Sequence, residues 1–224
     1  AIYKLNNQES SSLLAIKAKT PTWKKESKTY TVTDFYRFAW RRRSQPDDTR
    51  TLIASIIPKG VSHVDNIASA AFLDTSKMLS FAGSSLSIIF DFVVKGFNKS
   101  DVRFETIENL PVIDGVIANL ISNRMLRLTC LVTDYSELWE TAVDENIGND
   151  SWVAAPPMLN SKYELEWGEL DTTNWNEKVA LRSDYARRQA VLEIDVLVAL
   201  AFGVSLDELI IIYKHYFYTF KKYD

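Results

Sequence analysis

The chain contains few of the residues on which metal and covalent chemistry depends. It has one cysteine and two histidines among 224 residues. Neither His63 nor His215 has a cysteine or a second histidine at ligand spacing, which argues against a zinc site. A single cysteine also rules out an intramolecular disulfide, as is typical of cytoplasmic proteins. We therefore predict no metal site, a cytoplasmic location, and a buried Cys130 within its apolar run.

Clustered glycines and long hydrophobic runs are missing as well. None of the seven glycines is paired with another, so the chain lacks the glycine-rich turn that lets a backbone approach a cofactor. The apolar stretches are interrupted too soon to span a bilayer, and we expect no membrane partner. Glu26-Ser27-Lys28 matches half of a metal-dependent nuclease motif, but a solvated salt-bridge pair explains three residues more simply. The chain alone is therefore not predicted to be catalytic.

The composition indicates a folded protein with an uneven charge distribution. Hydrophobic residues make up 46% of the chain and aromatic residues 12%, and the net charge is −3. A chain of this composition can bury a sizeable core, and its net charge does not point to nucleic acid. Lysines and arginines nevertheless crowd the first sixty residues, whereas acids dominate from Asp134 to Asp171. A basic face of this kind would be steered toward phosphates.

Two β-type runs on either side of a polar turn are the main structural signal in the N-terminal half. Phe35–Trp40 and Thr51–Ile57 are rich in aromatic and β-branched residues, and the turn between them contains Pro46 and two aspartates. This pattern predicts an antiparallel hairpin. A further strand is predicted between Val61 and Phe72, with Asn66 as a turn.

The hairpin is also rich in cations that could contact phosphates or base edges. The candidate DNA-binding residues are Arg37, Arg41, Arg42, Arg43, Arg50, Lys59 and His63. Because strand residues alternate, Arg41 and Arg43 share one face and Arg42 the other, so at least one of them should pack elsewhere. Arg50 has an alternative role, in which it pairs with Asp47 or Asp48 and holds the turn.

The rest of the chain is mainly helical by its apolar spacing. The pattern predicts a buried helix over 76–97, a helix from about Asp114, a loop-rich insertion at about 144–176, and two final helices at about 177–202 and 206–219. Gly203 should end the first of these two, and Ser205 with Glu208 should form a capping box on the second. Glu193 and Asp195 are expected to pair with Arg182, Arg187 or Arg188.

These features predict an α+β fold, with a small antiparallel β region in the N-terminal half followed by a mainly helical C-terminal half. Two regions are expected, 1–111 with the sheet and the buried helix, and 112–224 with the helices and the insertion. The final helical pair has more apolar surface than two helices can bury alone. That surface comprises Leu197, Val198, Leu200, Phe202, Leu209, Ile210, Ile212, Tyr213 and Phe217.

Three segments resemble, in the same order, the target-recognition and C-terminal regions of large restriction–modification adenine-N6 DNA methyltransferases. They are the hairpin with its Arg50–Ala54 run, the stretch 78–111 with its Phe-Asp and Leu-Pro steps, and 182–217 with its Asp-x-Leu-Val-Ala core and Gly-Val-Ser break. The family's usual Asn-Ser is Ser84-Ser85 in this chain, and its arginine is Lys95. The resemblance touches roughly half of the chain, and 133–178 matches nothing in the family's pattern.

The resemblance implies that the chain recognises a target sequence in double-stranded DNA as part of a restriction–modification or phage-defence enzyme. The methyltransferase domain itself, with its S-adenosylmethionine site and its adenine-binding Asn-Pro-Pro-Tyr-type loop, would lie upstream, so no cofactor is expected in this chain. Because the chain begins at Ala1, we expect a C-terminal fragment, with a separately encoded specificity subunit as the alternative. The second hypothesis is a non-catalytic module that couples the methyltransferase domain to another subunit.

Overall fold

The chain folds into a small antiparallel sheet followed by helices, so the predicted α+β class is confirmed. The structure, a computed structural model, describes residues 2–3, 22–25, 28–44, 48–153, 159 and 162–217. Its strands are β1 (Ile2–Tyr3), β2 (Thr22–Lys25), β3 (Lys28–Thr31), β4 (Arg37–Arg41), β5 (Ala54–Ile57) and β6 (Ile67–Phe72). Strands β1, β6, β4 and β5 form one sheet in that order, and β2 pairs with β3.

The predicted hairpin is present as the antiparallel pair β4–β5. Its register places Arg37 opposite Ile57 and Trp40 opposite Ala54. Strand β6 pairs with the other side of β4 and begins at Ile67, so the predicted strand over 61–72 occupies only the part after Asn66. Residues 61–63 instead lie against the face of the sheet that contains Arg37, whose guanidinium binds the Val61 carbonyl.

The helices follow the sheet in sequence. They are α1 (Thr75–Ser84), α2 (Ile88–Gly96), α3 (Phe104–Ile107), α4 (Val116–Thr129), α5 (Ser136–Ala142), α6 (Asp184–Phe202) and α7 (Leu206–Tyr216). Short 3₁₀ turns lie at Val32–Asp34, Thr133–Tyr135, Ile147–Asn149, Trp167–Glu169 and Glu177–Val179. In the described part of 144–176 the regular structure consists of the two 3₁₀ turns Ile147–Asn149 and Trp167–Glu169, in keeping with a loop-rich segment.

The single buried helix predicted over 76–97 is two helices. Helices α1 and α2 are bent by 78° relative to each other. The break occurs because Ser87 acts as an N-cap, with its Oγ accepting the Phe90 N–H at 3.2 Å. Apolar residues before and after the serines conceal this start signal in the sequence. Both helices are largely buried, as predicted for the segment.

The break between the final two helices lies where the sequence predicted. Gly203 closes α6 in the left-handed conformation, with φ of 66°, which a glycine adopts without steric cost. Ser205 and Glu208 form the predicted capping box on α7. Helix α6 begins at Asp184 rather than near 177, because Ser183 caps it and a 3₁₀ turn occupies 177–179.

One hydrophobic core connects the sheet to the helices. Phe38 and Trp40 of β4 lie at its centre, and the Phe38 ring packs edge-on against Phe81 of α1 at 5.1 Å. The same cluster continues through α4 and α6, and it includes Cys130, whose burial is confirmed. Across the described residues, no single helix is long and apolar enough to cross a membrane. The bent pair α1–α2 passes that test only by combined length and composition.

Candidate nucleic-acid interface

Arg37 lies inside the protein rather than on a DNA-facing surface. Its side chain is 2% exposed, and the guanidinium donates to Ser69 Oγ at 3.3 Å and to the Val61 carbonyl. Burial lowers its pKa to about 10. His63 contacts the same serine, with Nε2 at 2.7 Å from Ser69 Oγ. Burial is the main cause that lowers the pKa of His63, and the nearby charge of Arg37 acts in the same direction. Both residues hold the 61–63 segment against the sheet.

Arg41 and Arg50 both bind groups of the protein itself. Arg41 forms an ion pair with Asp48 across the hairpin turn. Arg50 donates to the Leu86 carbonyl, and its Nε lies 3.7 Å from the buried carboxylate of Asp91. The alternative in which Arg50 pairs with Asp48 is therefore replaced by an Arg41–Asp48 pair, and Asp47 lies outside the described residues.

Asp91 is the anchor that sequence reasoning missed in this region. Its Oδ1 accepts the backbone N–H groups of Thr51 and Leu52 at 2.9 and 2.6 Å. Its side chain is fully buried, and burial raises the pKa of Asp91, against the opposing effect of Arg50. These bonds attach the start of the second hairpin run to helix α2.

Arg42 is held between two acids at the far end of the hairpin. Its Nε and Nη2 donate to the two oxygens of Asp101 at 3.2 and 2.9 Å, and its Nη1 binds Asp65. The hydrogen bond to Asp101 is the main reason why the pKa of Arg42 is raised and that of Asp101 is lowered. The Arg42 side chain is 16% exposed, so most of it is buried against the loops that it binds.

Arg43 differs from its neighbours because its side chain is exposed. Its backbone pairs with Asp101 in an isolated antiparallel bridge, and Ser44 continues the contact through its N–H to the Ser100 carbonyl at 3.1 Å. This bridge brings the hairpin end beside two other exposed cations. We refer to Arg43, Lys99 and Arg103 together as the cationic tip.

The cationic tip carries more positive than negative charge. Arg103 Nε donates to Asp101 Oδ2 at 2.7 Å, yet its side chain remains 67% exposed. Within the part of the chain that the structure describes, Arg43 and Lys99 form no ion pair. Asp101 is therefore shared by Arg42 and Arg103, and the tip keeps cationic side chains available to an external anion.

Lys59 sits apart from the tip, on the other end of β5. Its Nζ lies 2.5 Å from Glu137 Oε1 of helix α5 and 5.2 Å from the centre of the Tyr36 ring. The hydroxyl of Tyr36 in turn donates to the Asp134 carbonyl at 3.0 Å. These contacts join the hairpin to the start of the helical half.

The structure thus separates the seven predicted binding residues by environment. Arg37, Arg41, Arg42, Arg50, Lys59 and His63 each have a partner within the protein, whereas Arg43 faces solvent. Lys99 and Arg103 were missed because they lie beside the hairpin only through the contact between Arg42 and Asp101. These two residues are 59 positions apart in sequence, and no local pattern predicts that they meet. Among the described residues, no group of histidine, cysteine or acidic side chains could hold a metal ion. Of the half nuclease motif, Glu26 and Ser27 lie outside the described residues.

Comparison of the chain with family models, with curated proteins and with solved structures gives no match. The resemblance to DNA methyltransferases therefore stays a prediction.

Proposed function

We propose that this chain is a DNA-recognition part of a restriction–modification or phage-defence adenine-N6 methyltransferase, and that the cationic tip contacts the phosphates of duplex DNA. The observation that supports this most is the exposure of Arg43, Lys99 and Arg103 side by side at the hairpin end. In this proposal S-adenosylmethionine binds to an upstream methyltransferase domain, and the chain contributes position and register on the duplex.

Phosphate binding requires exposed cations that can displace the counterions condensed on the DNA. A protein gains affinity for DNA mainly by neutralising phosphates with lysine and arginine, and base contacts add specificity. Arg41, Arg42 and Arg50 are bound by internal acids or carbonyls, so they stabilise the shape of the hairpin. The tip side chains remain for the external anion, and Asp101 orients Arg103 among them.

The test is fluorescence-anisotropy binding to a mixed-sequence duplex across a salt series. The tip variant combines Arg43→Ala, Lys99→Ala and Arg103→Ala. The control variant removes the same charge elsewhere through Lys77→Ala, Arg188→Ala and Lys214→Ala on three separate helices. For each lost phosphate contact we expect the slope of log K against log salt to become shallower by about 0.9, in the tip variant only. Equal losses in both variants, or no binding by the wild type at low salt, would refute the proposal.

A second candidate function is the docking module, and an apolar stripe on helix α6 favours it. Tyr185, Leu192, Val196 and Leu200 are 61%, 57%, 38% and 64% exposed and lie along the helix at spacings of four or seven residues. Of the apolar surface predicted for the final pair, Leu197, Val198 and Phe217 are buried, but Leu200, Phe202 and Ile210 remain exposed.

Covalent surface labelling distinguishes docking from DNA recognition. The chain is labelled alone and in the presence of a separately expressed adenine-N6 methyltransferase domain from the same longer protein. Docking predicts that labelling of Tyr185 and Leu200 falls when the domain is present, whereas labelling of exposed Val153 stays unchanged. Unchanged labelling of the stripe would contradict this second function and would leave the DNA assay unaffected.

A further inference from the structure

An open groove of about 580 Å³ lies between the edge of the sheet and helix α6. Its volume falls within the range of sites that bind ligands. Strand β5 and the turn between α1 and α2 form one side, α4 forms the floor, and α6 forms the other side. The residues that matter for its chemistry are Ala54, Leu86, Asp184, Arg188, Val191 and Asp195.

The backbone of Ala54 presents a hydrogen-bond donor and an acceptor at this edge. The Arg41 N–H binds the Ile53 carbonyl at 2.9 Å, so Ile53 and Ser55 direct their backbone groups toward β4. By the alternation of an antiparallel ladder, the N–H and C=O of Ala54 point away from β4. Strand β5 is the last strand of the sheet on this side. No hydrogen bond from the described residues reaches the outward N–H or C=O of Ala54.

Two of the neighbouring outward groups of the same edge are already bound. The Leu52 N–H donates to Asp91 at 2.6 Å, and the Ile56 carbonyl accepts the Tyr135 hydroxyl at 2.9 Å. Ala54, with both of its outward groups unbound, is therefore the centre of the free part of the edge, and it opens onto the groove. One residue of an extended chain fits this opening because it offers the complementary N–H and C=O.

Asp195 supplies a carboxylate without an ion pair in the same groove. Its Oδ1 accepts the Ile88 N–H at 2.7 Å, and its other oxygen accepts no hydrogen bond from the described residues. The charge of Arg50 acts on Asp195, but the Arg50 side chain is bound to Leu86 and Asp91. Burial raises the pKa of Asp195 to about 6, as expected for a carboxylate that lacks a cationic partner.

The opposite end of the groove contains an exposed arginine, Arg188, together with Asp184. Arg188 precedes Asp195 by seven residues on α6, a separation of about 10 Å along the helix. Its side chain is exposed and forms no ion pair with the described residues. Val191 lies between the two, so an occupant would meet a carboxylate, then an aliphatic surface, then a guanidinium.

We propose that this groove binds an extended peptide segment of a partner protein, which pairs with Ala54 as an added strand and places a lysine or arginine side chain against Asp195. Strand addition at a free sheet edge is a general mode of peptide recognition, in which the main chain gives affinity and side-chain pockets give specificity. Here the Asp195 carboxylate provides the specificity for a cationic side chain, and Val191 contacts an aliphatic neighbour of that cationic residue. The proposal does not depend on DNA binding.

The probes are blocked hexapeptides that alternate valine and threonine and carry lysine, norleucine or glutamate at the third position. Binding to the full chain is measured by NMR titration, beside the variants Asp195→Asn and Asp184→Asn. We expect the lysine peptide to bind about tenfold more tightly than the norleucine peptide, and Asp195→Asn to abolish that preference. Asp184→Asn, which removes the same charge at the arginine end, should retain it. Equal binding of the three peptides, or no binding at millimolar concentration, would overturn the proposal.

The backbone amides provide a second measurement that does not require a variant. On addition of the lysine peptide, hydrogen exchange of the Ala54 amide should slow, because its N–H becomes bonded. The Ser55 amide is directed toward β4 and should exchange at the same rate with and without peptide. Tight binding that leaves the Ala54 amide unprotected would exclude strand addition at this edge.

Discussion

Arg124 of helix α4 donates from Nε to Glu193 of helix α6 at 2.8 Å, inside the protein. The two side chains are 1% and 4% exposed. Asp150 binds the same guanidinium at 3.0 Å, and Glu193 also accepts the Val153 N–H at 2.9 Å. This network attaches the loop after α5 to both helices. It replaces the expected pairing of Glu193 with Arg182, Arg187 or Arg188.

Replacement of Glu193 by alanine should destabilise the fold strongly. The change leaves the buried Arg124 with less compensation and the Val153 N–H without its acceptor, and breaking such a buried pair costs about 3 kcal/mol. Urea denaturation should show the loss in the free energy of unfolding. Glu145→Ala, at an exposed acid, should stay within about 0.5 kcal/mol of wild type. A similar small effect at Glu193 would show that the network is not a stabilising feature.

Gly83→Ala should be destabilising because α1 and α4 approach closely at this glycine. A Cβ at position 83 would lie 2.5 Å from Ile121 Cγ2 and 3.3 Å from Met125 Cβ. Overpacking of this kind costs about 1–3 kcal/mol. Gly96→Ala is the matched control, since a Cβ there meets no atom within 4 Å. Thermal unfolding should give a lower Tm for Gly83→Ala, and an unchanged or higher Tm for Gly96→Ala. The reverse order would contradict the packing described.

Ser205→Ala should weaken the start of helix α7. The serine Oγ accepts the Glu208 N–H at 3.3 Å, and its own N–H donates to the Glu208 carboxylate at 2.8 Å. Loss of such an N-cap costs about 1 kcal/mol. The measurement is hydrogen exchange of the α7 amides, which should accelerate, together with the Tm. Ser62→Ala, at an exposed serine in a loop, should change neither quantity.

Asp195→Asn should change how stability depends on pH. The pKa of Asp195 is about 6 in the folded chain, raised by burial from an ordinary value of 3.8. The folded state therefore binds this proton more tightly than the unfolded state. The contribution of the protonated Asp195 side chain to stability is fully present below about pH 4 and is lost as the pH rises through 6.

The size of this effect follows from the shift. Two pKa units correspond to about 3 kcal/mol, so wild type should lose up to that much relative to Asp195→Asn between pH 4 and pH 7. Urea unfolding of both proteins across this range measures it. Parallel pH curves for the two proteins would mean that Asp195 titrates normally.

Local signals explain the parts of the fold that were predicted correctly. The β4–β5 hairpin follows from β-type runs separated by a polar turn, and Gly203, Ser205 and Glu208 mark the break between α6 and α7. Each of these signals lies within a few residues of the feature it predicts. The bend between α1 and α2 has a local signal too, the Ser87 cap, but apolar residues on all sides concealed it.

The candidate site was harder to predict because its contacts join distant residues. Arginines in sequence look equally available, yet Arg37 is buried with Ser69 while Arg43 remains exposed. Asp195 was expected to pair with an arginine nearby, but it caps Ile88, 107 positions away. Lys99 and Arg103 join the tip only because the backbone of Arg43 pairs with Asp101.

The sequence by itself determined the α+β class, the hairpin, the final helical break and the burial of Cys130, because backbone propensity, capping and hydrophobic spacing act over short stretches of chain. Only the tertiary structure decided which cations are bound inside and which face solvent. That outcome depends on acids such as Asp91, Asp101 and Glu193, which the packing of the helices brings from distant positions. Because burying an unpaired charge is costly, each buried arginine binds the acids and carbonyl groups that lie near it.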